Sequence, residues 1–388
     1  MKNEKVLKPV AGCLLIFFVC FLSVRYSSQS LSVLSYLVFK SAQGYLPVSS
    51  FEFSEEDKPT EEAAAFENTT SQVPTEKESE STAYEEEKTT EKKQEAETEK
   101  ELLILPEDIK KLMKSEVKKG EKDKKTGSIK EKQYTSEGVT DKEGVVRVKN
   151  TNKTKVNIKE LLSEDLSFKV NKEEPAVLIF HTHTTESYQY IDRNFFSSSY
   201  TTRNTNADRN MVRIGKAIKN EIEKEGFKVI HDTTIHDTKY TGAYGRSRKT
   251  VESYLKKYPS IQIVLDVHRD GIADYDGSKI KPTAVIDGKK VAQVMIISGC
   301  QEEGNGITGY ESWKENLSFA LKLQKEMEET FPGLTRPIFF CGRKYNMDMT
   351  KASLLLEVGS DSNTIEEAYY SGICIGKSLS QLLERVTE

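Results

Sequence analysis

Cysteine is scarce in this 388-residue chain: five residues, at 13, 20, 300, 341 and 374, form no Cys-x-x-Cys pair, and two of them sit inside an apolar N-terminal run. Neither a thiolate zinc site nor a disulfide framework is indicated. The chain also lacks the apolar content to fill the two or three domains its length would allow, since 30% of its residues are charged and its mean hydropathy is -0.57. Much of it is expected to stay unfolded. Nor is there an electrostatic case for nucleic acid as a partner, because the net charge is -4 and the pI near 6.0, where a phosphate-binding domain would normally show a concentrated basic face.

A run of 15 uncharged residues, Val10 to Val24, follows Lys2, Lys5 and Lys8 and precedes Arg25. Leu22-Ser-Val-Arg-Tyr26 is a poor match to the small residues a cleavage site needs, so residues 1–26 read as a retained membrane anchor rather than a cleaved leader. The run is short for the hydrocarbon core, but Lys8 and Arg25 can snorkel. The lysines ahead of it place the N-terminus in the cytoplasm and the rest of the chain outside. Residues 27–144 are assigned to a stalk: a second apolar patch lies at Leu31 to Phe39, and from Phe51 to about Gly144 Glu, Lys, Thr and Ser dominate with very few aromatics. Such a stretch buries too little apolar area to offset chain entropy and is expected to be largely disordered. One island, Leu102 to Leu105 with Leu112 and Met113, reads as a short helix or a partner-docking motif.

From Val145 to Glu388 strand and helix patterns alternate, which suits one α/β domain with a mostly parallel central sheet and helices on both faces. Met211, Val212, Ile214, Ala217, Ile218 and Ile222 recur at helical spacing, with Asp208 as the expected N-cap and Gly226 as the stop. Phe227 to Ile230 reads as a strand, Arg246 to Lys257 as a helix, Val291 to Ile297 as a strand and Trp313 to Phe331 as a long helix. The last helix starts near Asn363 or Thr364, either of which can cap it.

Three apolar runs end on residues with metal-ligand or acid-base chemistry. Ala176 to Phe180 leads into His181-Thr-His183-Thr-Thr-Glu186, Ile261 to Val267 leads into His268, and Ser353 to Leu356 leads into Glu357. Ligands of open α/β sheets bind outside the carboxyl ends of such strands, so these residues can meet at one site. The chain has five histidines, and three of them stand at these ends. Imidazole and carboxylate suit a zinc site with three ligands and an open position, which leaves one of His181, His183, Glu186 and His268 as a supporting residue. His181 and His183, two apart, reach one face if the strand continues through them. His231 and His236, beside Asp232 and Asp237, read as loop residues. Glu357, in an apolar run where an unpaired carboxylate is costly, reads as a general base rather than a buried salt-bridge partner. Arg269 is a candidate for holding a substrate carboxylate or an oxyanion, and its bland role is a salt bridge with Asp270.

Phe180-His-Thr-His-Thr-Thr-Glu-Ser-Tyr188, Asp266-Val-His-Arg-Asp270, Phe331-Pro-Gly-Leu-Thr-Arg336 and Leu354-Leu-Leu-Glu-Val-Gly359 resemble the stage II sporulation protein P family over residues 145–388. The resemblance implies a fold like that of zinc-dependent N-acetylmuramoyl-L-alanine amidases. It implies zinc ligands at His183, Glu186 and His268 and a catalytic Glu357, with Asp208 in reserve for Glu186 and His181 in a supporting position. It further implies hydrolysis of the amide between N-acetylmuramic acid and the L-alanine of peptidoglycan stem peptides, and a second activity on peptide cross-links. The implied partner is a glycan-cleaving enzyme like stage II sporulation protein D. The implied setting is septal wall remodelling in engulfment, from the mother-cell membrane facing the forespore septum. Two rival readings are a tethered wall-binding scaffold with a structural or vestigial metal site, and a zinc peptidase of cross-links alone.

Overall fold

The computed structural model describes residues 102–301 and 307–388. The expected anchor, most of the expected stalk and the apolar patch at residues 31–39 lie outside the described residues. Among the described residues no helix is long and apolar enough to cross a membrane. In chain order the elements are α1 (Glu107–Gly120), β1 (Gly127–Lys132), β2 (Asp141–Glu143), β3 (Val146–Asn150), α2 (Ile158–Ser163), β4 (Pro175–Phe180), β5 (Phe195–Phe196), α3 (Met211–Lys224) and β6 (Lys228–His231). They continue with α4 (Ala243–Lys257), β7 (Ile263–Asp270), β8 (Lys279–Ile286), β9 (Lys289–Ala292), β10 (Val294–Gly299), α5 (Trp313–Thr330), β11 (Ile338–Cys341), a 3-10 turn at Met347–Met349, β12 (Ala352–Ser360) and α6 (Ile365–Glu384).

The three apolar runs become β4, β7 and β12, which lie together in an eight-stranded sheet of order β2-β3-β11-β10-β12-β7-β4-β6. Side-chain alternation sorts each run between two faces. Val177 and Ile179, Ile263, Leu265 and Val267, and Leu354 and Leu356 turn into the main core, shared with Ile214, Ile218 and Ile222 of α3 and with Ile375 and Leu379 of α6. Burying each of those α3 isoleucines contributes about 1.5–3 kcal/mol. Leu178, Phe180 and Val264 turn the other way, onto Val251 of α4. Helices therefore cover both faces, as expected.

The sheet is mixed rather than mostly parallel. β12, β7, β4 and β6 run parallel, but β10 is antiparallel to β12 and β2 to β3. A second, four-stranded sheet of order β5-β1-β8-β9 adds two more antiparallel pairings. Its β8–β9 hairpin turns on Asp287-Gly288, with φ of 48° and 73°, the two-residue turn that matches strand twist. The run Val291 to Ile297, expected as one strand, is divided at Gln293. The side chain of Gln293 accepts from Tyr134 N at 2.6 Å and donates to the carbonyls of Tyr134 and Gly333, both at 2.9 Å, so the chain changes sheets there.

Folded elements begin earlier than the expected boundary near residue 144. Leu103, Leu105 and Ile109 are buried in the main core, with Leu102, Leu112 and Met113 packed against it. The island thus forms α1 and its lead-in, an apolar face on an otherwise charged segment. Helix caps follow the sequence at one end and depart from it at another. Thr364 caps α6 in a reciprocal capping box with Glu367, whereas α3 is capped by Asn210, which accepts from Val212 N at 3.0 Å, and not by Asp208.

Candidate active site

In the parallel pairing of β12 with β7, Glu357 stands directly opposite His268. Both project on the α4 side of the sheet, as does Asp266 two residues earlier. Strand β4 ends at Phe180, and the chain turns through residues 181–185 before pairing with the segment around Thr202 to Asn204. That turn brings His183 against His268, edge to face with ring centroids 5.3 Å apart. It also swings the Glu186 carboxylate back, with Oε2 3.5 Å from His268 Nδ1. The structure thus brings His183, Glu186, His268 and Glu357 together at one locus. Tyr240 stacks on His183 at 4.6 Å and 3°, and Tyr244 stacks on His268 at 6.4 Å, so aromatic rings wall the cluster.

The electrostatics are uneven. Burial lifts the Glu357 carboxyl to a pKa of about 8, with the Asp270 carboxylate adding to the effect. Burial would also raise Glu186, but the guanidinium of Arg269 and the ring of His268 outweigh it and hold Glu186 at about 2. His183 is lowered to about 4 by burial and by His268 beside it. His268 goes the other way: burial opposes its charge, yet Asp266 and Glu186 push it well above the usual histidine range. One imidazole is disposed to be neutral and the other charged, between carboxylates.

The donor set fits a cation. His183 Nδ1 and Glu357 Oε2 are shut off from solvent with no hydrogen-bond partner. His268 Nε2 is 2.8 Å from Asp266 Oδ1, at ion-pair distance but off the line of a hydrogen bond. Buried polar atoms left in this state are costly, and two imidazoles with a carboxylate are the donors zinc prefers. Among the described residues, however, no three His, Cys, Asp or Glu side chains stand ready as a complete metal site. Glu186 Oε1 is turned toward Arg203 at 3.5 Å and Arg269 at 4.0 Å, so the carboxylate is shared between these cations and His268.

Several expectations are corrected here. His181 is not beside the cluster: with the strand ended, it points to the opposite face, where Nδ1 meets Val267 O at 2.8 Å and Nε2 meets His231 Nε2 at 2.9 Å. Asp208 is exposed and pairs with Arg213 at 3.4 Å, so it does not stand in for Glu186. Arg269 is buried and its guanidinium is engaged within the protein. Nε donates to Ser187 O at 3.2 Å, Nη1 to Asp270 O at 3.3 Å and Nη2 to Thr202 O at 3.0 Å. It props Glu186 and the 187–202 segment rather than facing a substrate. Asp270 takes its salt bridge from Arg336 at 2.9 Å. His236 is a buried structural residue, bonded to His181 O at 2.9 Å and Thr250 Oγ1 at 3.0 Å.

A sequence model described as Stage II sporulation protein P (SpoIIP) matches residues 34–380. The chain belongs to this family. A curated relative, the stage II sporulation protein P of Bacillus subtilis (strain 168), is 30% identical over 204 residues, covering 50% of this chain and 47% of the relative. The chain therefore matches about half the length of that protein. Among solved structures, the N-acetylmuramoyl-L-alanine amidase AmiC2 of Nostoc punctiforme overlays 56% of this chain and 99% of its own, with a TM-score of 0.32 and 11% identity. The CwlD amidase from Clostridioides difficile, in complex with the GerS lipoprotein, overlays 54% and 99%, with a TM-score of 0.34 and 13% identity.

Sequence reasoning missed three residues that shape this SpoIIP-family site. Asp237 is buried and lies 4.0 Å from His183 Nδ1, held by Thr185 Oγ1 and Arg203 Nη1, both at 2.6 Å. Asp266 sits two before His268, where strand alternation alone puts it on the same face. Tyr244, near the start of α4, had no signal beyond that helix's position.

Proposed function

We propose that this chain is a zinc-dependent peptidoglycan hydrolase that cleaves the amide between the lactyl group of N-acetylmuramic acid and the L-alanine of the stem peptide. The observation that carries the reading is the adjacency of Glu357 and His268 on neighbouring strands, with His183 and Glu186 folded over them and buried polar atoms left without partners. His183, Glu186 and His268 would hold the ion. Bound there, zinc supplies Lewis-acid polarisation of the scissile carbonyl and an acidified water. Glu357 takes the proton of the attacking water and hands it to the leaving amine. The buried position of its unpartnered oxygen suits a group that must hold and release a proton near neutral pH. Arg269 keeps Glu186 ionised and aimed at His268, and Tyr240 and Tyr244 hem in the two imidazoles.

Family membership supports a role in sporulation, with the amidase as the principal activity and cleavage of peptide cross-links as an accompanying one. The same reading anchors the chain by residues 1–26 in the mother-cell membrane, N-terminus in the cytoplasm and folded part toward the forespore septum, working beside a glycan-cleaving enzyme like stage II sporulation protein D. Product analysis tests the reaction: the purified chain, loaded with zinc, is incubated with peptidoglycan. Free stem peptides together with peptide-free glycan are expected. Glycan that keeps its peptides while cross-links disappear means a peptidase of cross-links alone, and no release at all means a wall-binding scaffold.

A further inference from the structure

We infer that Thr182 and Asp266 form a positioning pair that sets the orientation of the His268 ring, so that the inner residues of the two histidine motifs govern the metal site along with the histidines. Three consecutive residues of the first motif meet three of the second. His181 takes the carbonyl of Val267, His183 lies against the ring of His268, and between them Thr182 grips Asp266. That grip is double: Thr182 N donates to Asp266 Oδ1 at 2.8 Å and Thr182 Oγ1 to Oδ2 at 2.6 Å. Both side chains are buried, at 0% and 2% exposure, so the carboxylate has no water to turn toward.

Further contacts extend the pair into a chain of polar groups. The Thr182 hydroxyl directs its hydrogen to Asp266 and lies 2.7 Å from Ser247 Oγ, whose single hydrogen is shared between Thr182 Oγ1 and the carbonyl of Tyr244 at 3.1 Å. Ser247 in turn accepts from Asn346 Nδ2 at 3.2 Å. The chain runs from Asn346, held at φ 58°, through α4 to the carboxylate, and ends at His268 Nε2, 2.8 Å from Asp266 Oδ1. With Nε2 turned to Asp266, Nδ1 is left on the side of Glu186 Oε2, 3.5 Å away, and is the nitrogen of His268 that would serve as ligand. A carboxylate held at ion-pair distance behind a ligating histidine favours a proton on the nitrogen that faces it and so biases the ring's orientation.

The inference rests on the zinc reading only for the identity of the ion, and its test separates the two. Zinc affinity of the purified chain is measured by chelator competition, and the His268 ring nitrogens are followed by NMR in Asp266→Asn, Thr182→Val and Thr182→Ser. Asp266→Asn and Thr182→Val are expected to weaken zinc about 10- to 100-fold, while Thr182→Ser, which keeps the hydroxyl, stays within about twofold. The His268 nitrogens should shift in the first two variants with circular dichroism unchanged. Unshifted His268 nitrogens with unaltered affinity in Thr182→Val would overturn the pairing. If the unaltered chain takes up no zinc, the metal reading fails, and the His268 nitrogens alone decide the positioning claim: shifts in Asp266→Asn and Thr182→Val uphold it, and their absence sinks it.

Discussion

Glu357 and His268 face each other across two neighbouring parallel strands, so a single register sets the spacing between the proposed base and a proposed ligand. A slip of one residue on either strand would send one of them to the opposite face. The chemistry therefore depends on the same apolar runs that build the core.

The buried Glu357 carboxyl makes stability pH-dependent in the chelator-treated chain. Its pKa is about 8 when folded and 4.5 ordinarily. Between those values the unfolded chain has released this proton and the folded chain has kept it, so stability falls as pH rises through that window. Glu357→Gln removes the slope. Melting temperatures of the two proteins should converge near pH 4.5 and separate toward pH 8, the variant being the more stable. Parallel curves across the whole range would show that Glu357 is not buried in the way described.

His181, His183 and His268 should divide by function. His183→Ala and His268→Ala are expected to abolish zinc binding in chelator competition. His181→Ala should keep it while losing about 1–3 kcal/mol of stability in urea unfolding, because it strands the Val267 carbonyl and His231. Loss of zinc in His181→Ala would return that residue to the metal site.

Gly215 lies in α3 directly over the His181–His231 pair. A Cβ there would stand 2.5 Å from His231 Nε2 and 2.8 Å from the His181 ring. Alanine in a helix interior normally stabilises by about 0.5–1 kcal/mol relative to glycine. Here the overpacking should reverse that sign, and Gly215→Ala is expected to destabilise by about 1–3 kcal/mol in the same unfolding measurement. A stabilised variant would mean that the helix sits further from the histidines.

How much of this was legible in the sequence follows from the range of each signal. The ends of β4, β7 and β12 could be read because an apolar run stopping on a scarce polar residue is a local pattern. That His183, Glu186, His268 and Glu357 converge follows from those ends once the strands are adjacent. His181 parts from His183 because two-residue spacing implies one face only while a strand continues, and β4 stops at Phe180. Arg269 was misread because its partners, Ser187 and Thr202, are loop carbonyls that no pattern announces. The Asp287-Gly288 turn was a usable hairpin signal and would have revealed the antiparallel part of the fold. The island at Leu102 to Met113 was legible as a short helix or a docking motif, but its few apolar residues sit among lysines and glutamates, and only their packing shows that they join the main core.

The central claim is that Glu357 passes protons at a site where His183, Glu186 and His268 hold zinc. The most direct measurement compares the zinc-loaded chain with its Glu357→Gln variant, recording metal content and the rate of stem-peptide release from peptidoglycan on the same samples. The expected result is equal zinc content with release slowed by about 100-fold or more. Undiminished release by the variant at equal zinc content would contradict the account.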